Sequence, residues 1–294
     1  MIDWLIAYRS LLDIILINAV LAFSQYIVLR AGVFSLATAG LSAIGAYGAT
    51  NAVFAWGWPA PLGVLGAAAL ATGAAVLIAL PLARLRGVYQ AIATLAFVQL
   101  VLSVTQNATA LTGGALGMNG IPRWATTPIL LAAVGVALYV LICLGRSWIG
   151  RAFDTIREDE TVAASLGIDV ARMHVLAFAL SGALAGLGGA LEAYHSYSIT
   201  PDAFGFRLLV ACLTFVVLGR RVSPFGPLVG AAILTALPEI ARPFRDYALL
   251  VHGALLIAAI TWLPDGVVDT IARRLRTRTL GRPDKLIRHA APVA

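Results

Sequence analysis

A chain of 294 residues in which 60% are hydrophobic and only 12% charged lies far outside the range of soluble domains, where roughly a quarter of residues carry charge. No window free of long apolar runs is large enough to bury a separate soluble core, so the composition reads as one all-α, polytopic membrane domain over 1–294. The net charge of +7 does not require nucleic acid, because the basic residues follow a membrane topology.

Apolar stretches long enough to cross about 30 Å of hydrocarbon run, in chain order, over 11–29, 33–55, 62–83, 88–107, 128–144 and 170–194. A shorter pair follows at 208–218 and 225–237, then a last run at 247–263, which predicts about nine transmembrane helices, within a range of eight to ten. The opening segment places Asp3 ahead of any basic residue and lacks a small-residue cleavage pattern, so it is expected to stay as a span. Cys143 and Cys212 fall in apolar runs away from any Cys/His metal spacing and read as small buried hydrophobes. Asp13 and Glu192 lie near span ends and are expected to reach the interface.

On this layout Arg30, Arg84, Arg86, Arg146, Arg151, Arg157, Arg172, Arg220 and Arg221 share a face with the basic tail 264–294. The opposite face receives only Arg9, Arg123, Arg207, Arg242 and Arg245. The positive-inside rule makes the first face cytoplasmic, and the C-terminus with it; an odd number of spans then puts the N-terminus outside.

The longest charged run inside this apolar chain is GRAFDTIREDETVAASLGI at 150–168. Its apolar residues Phe153, Ile156, Ala163 and Leu166 recur at helical spacing, Gly167 supplies a left-handed closing residue, and Asp169 is placed to cap the next helix. The charge is mixed, with Arg151, Asp154 and Arg157 followed by Glu158, Asp159 and Glu160, so anionic lipid would attract it poorly and a protein groove is the expected partner.

Within the spans, GALAGLGGA at 182–190 allows close helix packing. Gln99, Ser103 and Gln106 make a polar face on a lipid-spanning helix, which either lines a watery path or bonds to neighbouring helices. Three Gly-rich interruptions, AGVFSLATAGLSAIGAY at 31–47, LTGGALGMNGIP at 111–122 and GRRVSPFGPLVGA at 219–231, break the helical pattern; the second is expected on the outer side, too flexible for helix. Irregular backbone at membrane depth persists only where protein or a water-filled cavity satisfies it, so the first and third point to discontinuous segments near the centre. Paired intramembrane acids, as in a secondary transporter or channel, are missing, and so is a convergent catalytic set, as in a membrane-embedded enzyme.

These motifs resemble those of the permease subunits of bacterial ABC importers for branched-chain amino acids, of the LivM type. The resemblance spans roughly 32–266 and is most specific over 150–191, with further matches at GVFSLATAGLSAIGAY, RLRGVYQAIATLAFVQL, LTGGALGMNGIP and the stretch beginning LPEIARPFRDY. The chain departs from the family pattern at GRRVSPFGP and at ATAGL near Ser35, where Arg30 also precedes the break. The resemblance implies a multi-pass protein of the bacterial inner membrane that moves branched-chain or related amino acids or amides inward. It implies as partners a second permease subunit, either a sister chain or a copy of itself, two cytoplasmic ATPases and an external solute-binding protein. Run 150–168 then becomes the ATPase-coupling helix, and Arg123, Arg207, Arg242 and Arg245 become candidates for docking the binding protein. Ser35, Thr38, Gly45, Ser223 and Gly226, small and weakly polar, are candidates for the path, with Gln99, Ser103 and Gln106 as the alternative. No cofactor is expected in this chain: a P-loop needs a Lys after a Gly-rich loop, and the only Lys is Lys285, so ATP and Mg belong to a partner ATPase. A secondary transporter or channel for a small solute remains the alternative.

Overall fold

The computed structural model describes residues 2–83, 85–219 and 224–240. The expected last span at 247–263, the tail 264–294, Ser223, Arg242 and Arg245 lie outside the described residues. The described chain forms α1 (Ile2–Arg30), α2 (Thr38–Phe54), α3 (Ala60–Leu82), α4 (Val88–Asn107), α5 (Thr109–Thr112) and α6 (Thr127–Arg146). Then come α7 (Trp148–Glu158), α8 (Glu160–Ser165), α9 (Val170–Ser196), α10 (Phe206–Gly219) and α11 (Gly226–Ile240). Two short strands, β1 (Met118–Asn119) and β2 (Ser198–Ile199), pair antiparallel.

Small residues decide which helices meet. α9 packs against α3, α2 and α1, and its glycines mark the crossings. A Cβ at Gly182 would strike Ala75, one at Gly186 would strike Ala71, and one at Gly188 would press into Leu21. Gly45 of α2 faces Gly186, and Gly189 lies on the Ser42 carbonyl, so these backbones touch directly, as the run 182–190 predicts. Hydroxyls close the remaining gaps: Ser24 Oγ donates to the Ser181 carbonyl at 2.8 Å, and Tyr194 Oη to that of Ala49 at 2.9 Å.

Six helical stretches among the described residues are long and apolar enough to cross a membrane: Arg9–Arg30, Ala60–Leu82, Val88–Asn107, Thr127–Arg146, Val170–Ser196 and Pro201–Gly219. The fold is thus an all-α polytopic membrane protein, and by this measure the described residues hold six spans, the expected run at 247–263 lying outside them. α2 has 17 residues and α11 has 15, or roughly 25 and 22 Å at 1.5 Å per residue. α2 is also enclosed by its neighbours, with residues such as Leu41, Ala43, Ala46 and Ala49 at 0% exposure; a helix shielded from lipid needs neither the length nor the apolarity of one that faces it.

α1 and α6 lie side by side and run in the same direction. Arg9 Nε donates to Thr127 Oγ1 at 3.0 Å where α6 starts, and the Arg30 guanidinium lies against Gly145 near the last residue of α6, on the way to Asp154 of the helix that follows. These contacts define two ends. At the Arg9 end, 111–122 is more ordered than its composition suggests: α5 and a 3-10 turn at Gly114–Leu116 lead into β1, whose Met118 pairs with Ile199 and Asn119 with Ser198. The Ile121 N–H adds a bond to the Tyr197 carbonyl at 3.1 Å. Gly117 has φ +71°, and a Cβ there would collide with the Ile199 carbonyl, so this clasp requires glycine. Asp13 does not reach the interface: it is 6% exposed, with Oδ2 4.0 Å from His195 Nδ1 of α9. Glu192 likewise turns Oε2 inward, without a hydrogen-bond partner. The acid and the histidine sit on different helices, where periodicity along one segment does not reveal them.

Candidate functional site

The charged run forms a hairpin of two helices instead of the single helix expected over 150–168. Ser147 starts α7, its Oγ accepting from the Gly150 N–H at 3.3 Å. Asp159 is extended (φ −157°, ψ 116°) and ends it. The same aspartate caps α8, Oδ1 accepting from the N–H groups of Thr161 at 2.7 Å and Val162 at 3.2 Å. Those amides, that of Thr161 first, hold the Asp159 carboxyl below the usual carboxylate range. An N-cap aspartate inside an acidic cluster therefore divides the helix. Downstream the expected signals operate: Gly167 has φ +81°, the Ile168 N–H reaches back to the Ala163 carbonyl at 3.1 Å, and Asp169 Oδ1 caps α9 through the Arg172 N–H at 3.1 Å.

The apolar face is divided as well. Phe153, Ile156 and Ala163 are 0%, 2% and 0% exposed within this chain, so they are not free for a partner's groove. Leu166, at 69%, stands outside with Val162 and Trp148. Burial of Phe153 and Ile156 follows from what α7 rests on. Gly32, at φ +81°, passes so close that a Cβ would come 3.1 Å from the Arg157 Cα. Arg30 closes on Asp154 with both arms, Nε donating to Oδ1 at 3.0 Å and Nη2 to Oδ2 at 2.7 Å. Glu160 Oε2 lies 3.4 Å from Arg86 Nε. Arg151 is exposed and donates to the Arg146 carbonyl at 3.1 Å. Glu158, Asp159, Val162 and Leu166 remain as the outward surface, acidic with two apolar side chains.

The first Gly-rich break is closed by the protein itself. Gln25 Nε2 donates to the Ser35 carbonyl at 2.7 Å, Thr38 Oγ1 donates to Gln25 Oε1 at 2.6 Å, and the Leu36 N–H reaches Thr94 Oγ1 at 3.0 Å. Ser35 and Thr38 are 2% and 3% exposed. They do not line an open path in this chain, and the break lies at the helix ends beside α7, not at the bundle centre. Gly45 is spent on the crossing with Gly186, and Gly226 is buried against Gly219. Gln25, a polar residue inside an apolar span, was the signal for this knot.

Gln99, Ser103 and Gln106 are all exposed on one side of α4, while Val98, Val101, Leu102 and Thr105 bury the other. At the Arg9 end Arg123 is exposed, its guanidinium 6.0 Å from the Tyr197 ring centre, and Arg207 is exposed beside Phe206. Among the described residues the structure thus leaves open the polar membrane face of α4, the acidic hairpin tip and, at the opposite end, Arg123 and Arg207.

The family described as "Branched-chain amino acid transport system / permease component" matches residues 8–260. The chain is 31% identical to the high-affinity branched-chain amino acid transport system permease protein LivM of Escherichia coli K12, over 93% of this chain and 71% of that protein. It is 30% identical to LivM of Salmonella typhimurium, over 93% and 72%. The match to LivH of Escherichia coli K12 is 29% over 45% of this chain and 43% of that one. No solved structure matches.

Proposed function

The chain belongs to the branched-chain amino acid transport permease family, and from that premise we propose that it is the non-catalytic permease subunit of an ABC importer in a bacterial inner membrane. Branched-chain amino acids, or related amino acids and amides, pass inward beside it. ATP is hydrolysed on two separate ATPase chains, and an external binding protein delivers the solute. The Arg30 end and the C-terminus face the cytoplasm.

The observation that carries this reading is the α7–α8 hairpin. It lies outside the helices long enough to span, is anchored to them by its buried face, and presents Glu158, Asp159, Val162 and Leu166 outward. A small acidic surface with apolar side chains suits a protein groove. Replacing Glu158, Asp159 and Glu160 together with Ala uncouples ATP hydrolysis from uptake while the permease stays in the membrane; Asp159→Asn, which keeps the cap of α8, separates loss of charge from loss of structure. Normal uptake by the triple variant sinks the docking reading.

The path runs along Gln99, Ser103 and Gln106, which face the second permease subunit, a sister chain or another copy. A polar stripe exposed on a membrane helix is costly against lipid and is accommodated against protein or water. Cys at Gln99 and Ser103 is therefore labelled by small water-soluble thiol reagents in a manner that changes with trapped ATP, while Cys at Ser35 stays unreactive. At the other face Arg123 and Arg207 meet acidic groups of the binding protein; their charge reversal lowers its stimulation of ATP hydrolysis, most clearly at low salt.

A further inference from the structure

α7 is held against the end of α1 and the turn after it by contacts of distinct kinds. Phe153 and Ile156 are buried, and the Gly32 backbone lies on Arg157. The guanidinium of Arg30 closes on Asp154 through two hydrogen bonds, of 2.7 and 3.0 Å. The space for that fork comes from Gly145 near the end of α6, where a Cβ would lie 2.9 Å from Arg30 Nη1. Arg30 is 8% exposed, so the cation is enclosed, while the Asp154 side chain is 40% exposed.

Apolar contact alone lets one helix slide or turn on another. A bidentate guanidinium–carboxylate pair fixes distance, register and rotation together, which a single-point ammonium does not. An apolar pair of equal volume would hold two helices at least as firmly, so firmness does not account for an enclosed arginine here. α1 in turn packs against α9, α11, α6 and α10. A displacement of α7 that is registered on α1 is therefore felt through most of the bundle.

We infer that the Arg30–Asp154 pair is the positioning link that converts movement of the α7–α8 hairpin into movement of α1. The inference rests on the reading of the hairpin as the ATPase-docking element. Its test uses the complete transporter, with ATPases and binding protein, reconstituted in liposomes, and reads solute taken up per ATP hydrolysed. Arg30→Gln and Asp154→Asn each lower that ratio about tenfold, and the exchanged pair Arg30→Asp with Asp154→Arg recovers part of it, as a direct coupling requires. An unchanged ratio in both single variants overturns the link.

Because the exchanged pair needs room that the site does not guarantee, a second variant carries Cys at both positions in a Cys143→Ser background, Cys143 being exposed. A short bifunctional thiol-reactive reagent, a bis-methanethiosulfonate from which each thiolate displaces a sulfinate, then restores the ratio on closing, and the cross-link forms only in the folded arrangement. A closed cross-link that restores nothing also overturns the inference. If Arg30→Gln instead loses its ATPases on purification, the pair acts in docking and the link is again overturned; failure of the docking reading shows separately, in the triple variant at 158–160 retaining normal uptake.

Discussion

The two ends of the bundle are held by different chemistry. At the Arg30 end the fastening runs through side chains: the pairs Arg30 with Asp154 and Arg86 with Glu160, and the Ser147, Asp159 and Asp169 side chains accepting from backbone N–H groups. At the Arg9 end a main-chain ladder, two residues long between β1 and β2 and made possible by glycine at positive φ, joins side-chain contacts such as Arg9 with Thr127. A backbone ladder holds through bonds that no change of rotamer releases, whereas side-chain pairs keep short helices in register through rotatable groups that can shift. The end proposed to receive a binding protein is thus a fixed surface, and the end proposed to receive ATPases is a jointed one.

That comparison breaks most visibly at Gly117. Gly117→Val forces a branched side chain into a positive φ and into the Ile199 carbonyl, at a cost of about 3 kcal/mol or more. It shows as a lowered thermal midpoint of the solubilised complex, with little effect on the hairpin. Asp154→Ala is next. It leaves an enclosed Arg30 without its anion, and because Asp154 is itself partly exposed the loss is about 2 kcal/mol, below the usual range for a fully buried pair. The same melting measurement, with Gly117→Val in parallel, establishes which end is held more tightly.

Arg86→Ala sharpens the contrast within the Arg30 end. The Arg86 side chain is 83% exposed, so its pair with Glu160 contributes under about 0.5 kcal/mol; its removal leaves the thermal midpoint unchanged within error at high salt. The smallest effect is a pH dependence at Asp159. Its folded carboxyl titrates below the usual range, so its contribution is fully present above the ordinary carboxylate pKa of about 4 and is lost as pH falls through the lower folded value. The Thr161 and Val162 amides therefore lose protection from hydrogen exchange only on strong acidification, and Asp159→Asn abolishes that dependence while keeping the cap.

Much of the fold was legible along the chain. The spans at 62–83, 88–107, 128–144 and 170–194 recur within a few residues as α3, α4, α6 and α9, because an apolar run longer than the hydrocarbon thickness has few alternatives to a single helix. The helix stop at Gly167 and the cap at Asp169 were legible too, being set by neighbours three or four residues away. The division of the hairpin at Asp159 was not, since a mixed acidic run reads equally well as continuous helix; the extended backbone at one aspartate decides it. Ser35, Thr38 and Gly45 have the composition of a path and are instead spent on Gln25 and Gly186, partners 10 to 141 positions away in sequence.

The sequence by itself determined a polytopic helical membrane protein, the family to which it belongs and the location of the charged run at 150–168, because hydropathy, local caps and motif order are properties of neighbouring residues. Only the tertiary structure decided which polar residues are committed and which remain available. Arg30 and Asp154 lie 124 positions apart and become one fork, Asp13 and His195 come to face each other across two helices, and Gln99, Ser103 and Gln106 keep an open face. In a bilayer a polar group must find its partner within the protein or in enclosed water. The approach of one helix to another, set here by glycines on α2 and α9, therefore determines which partners exist.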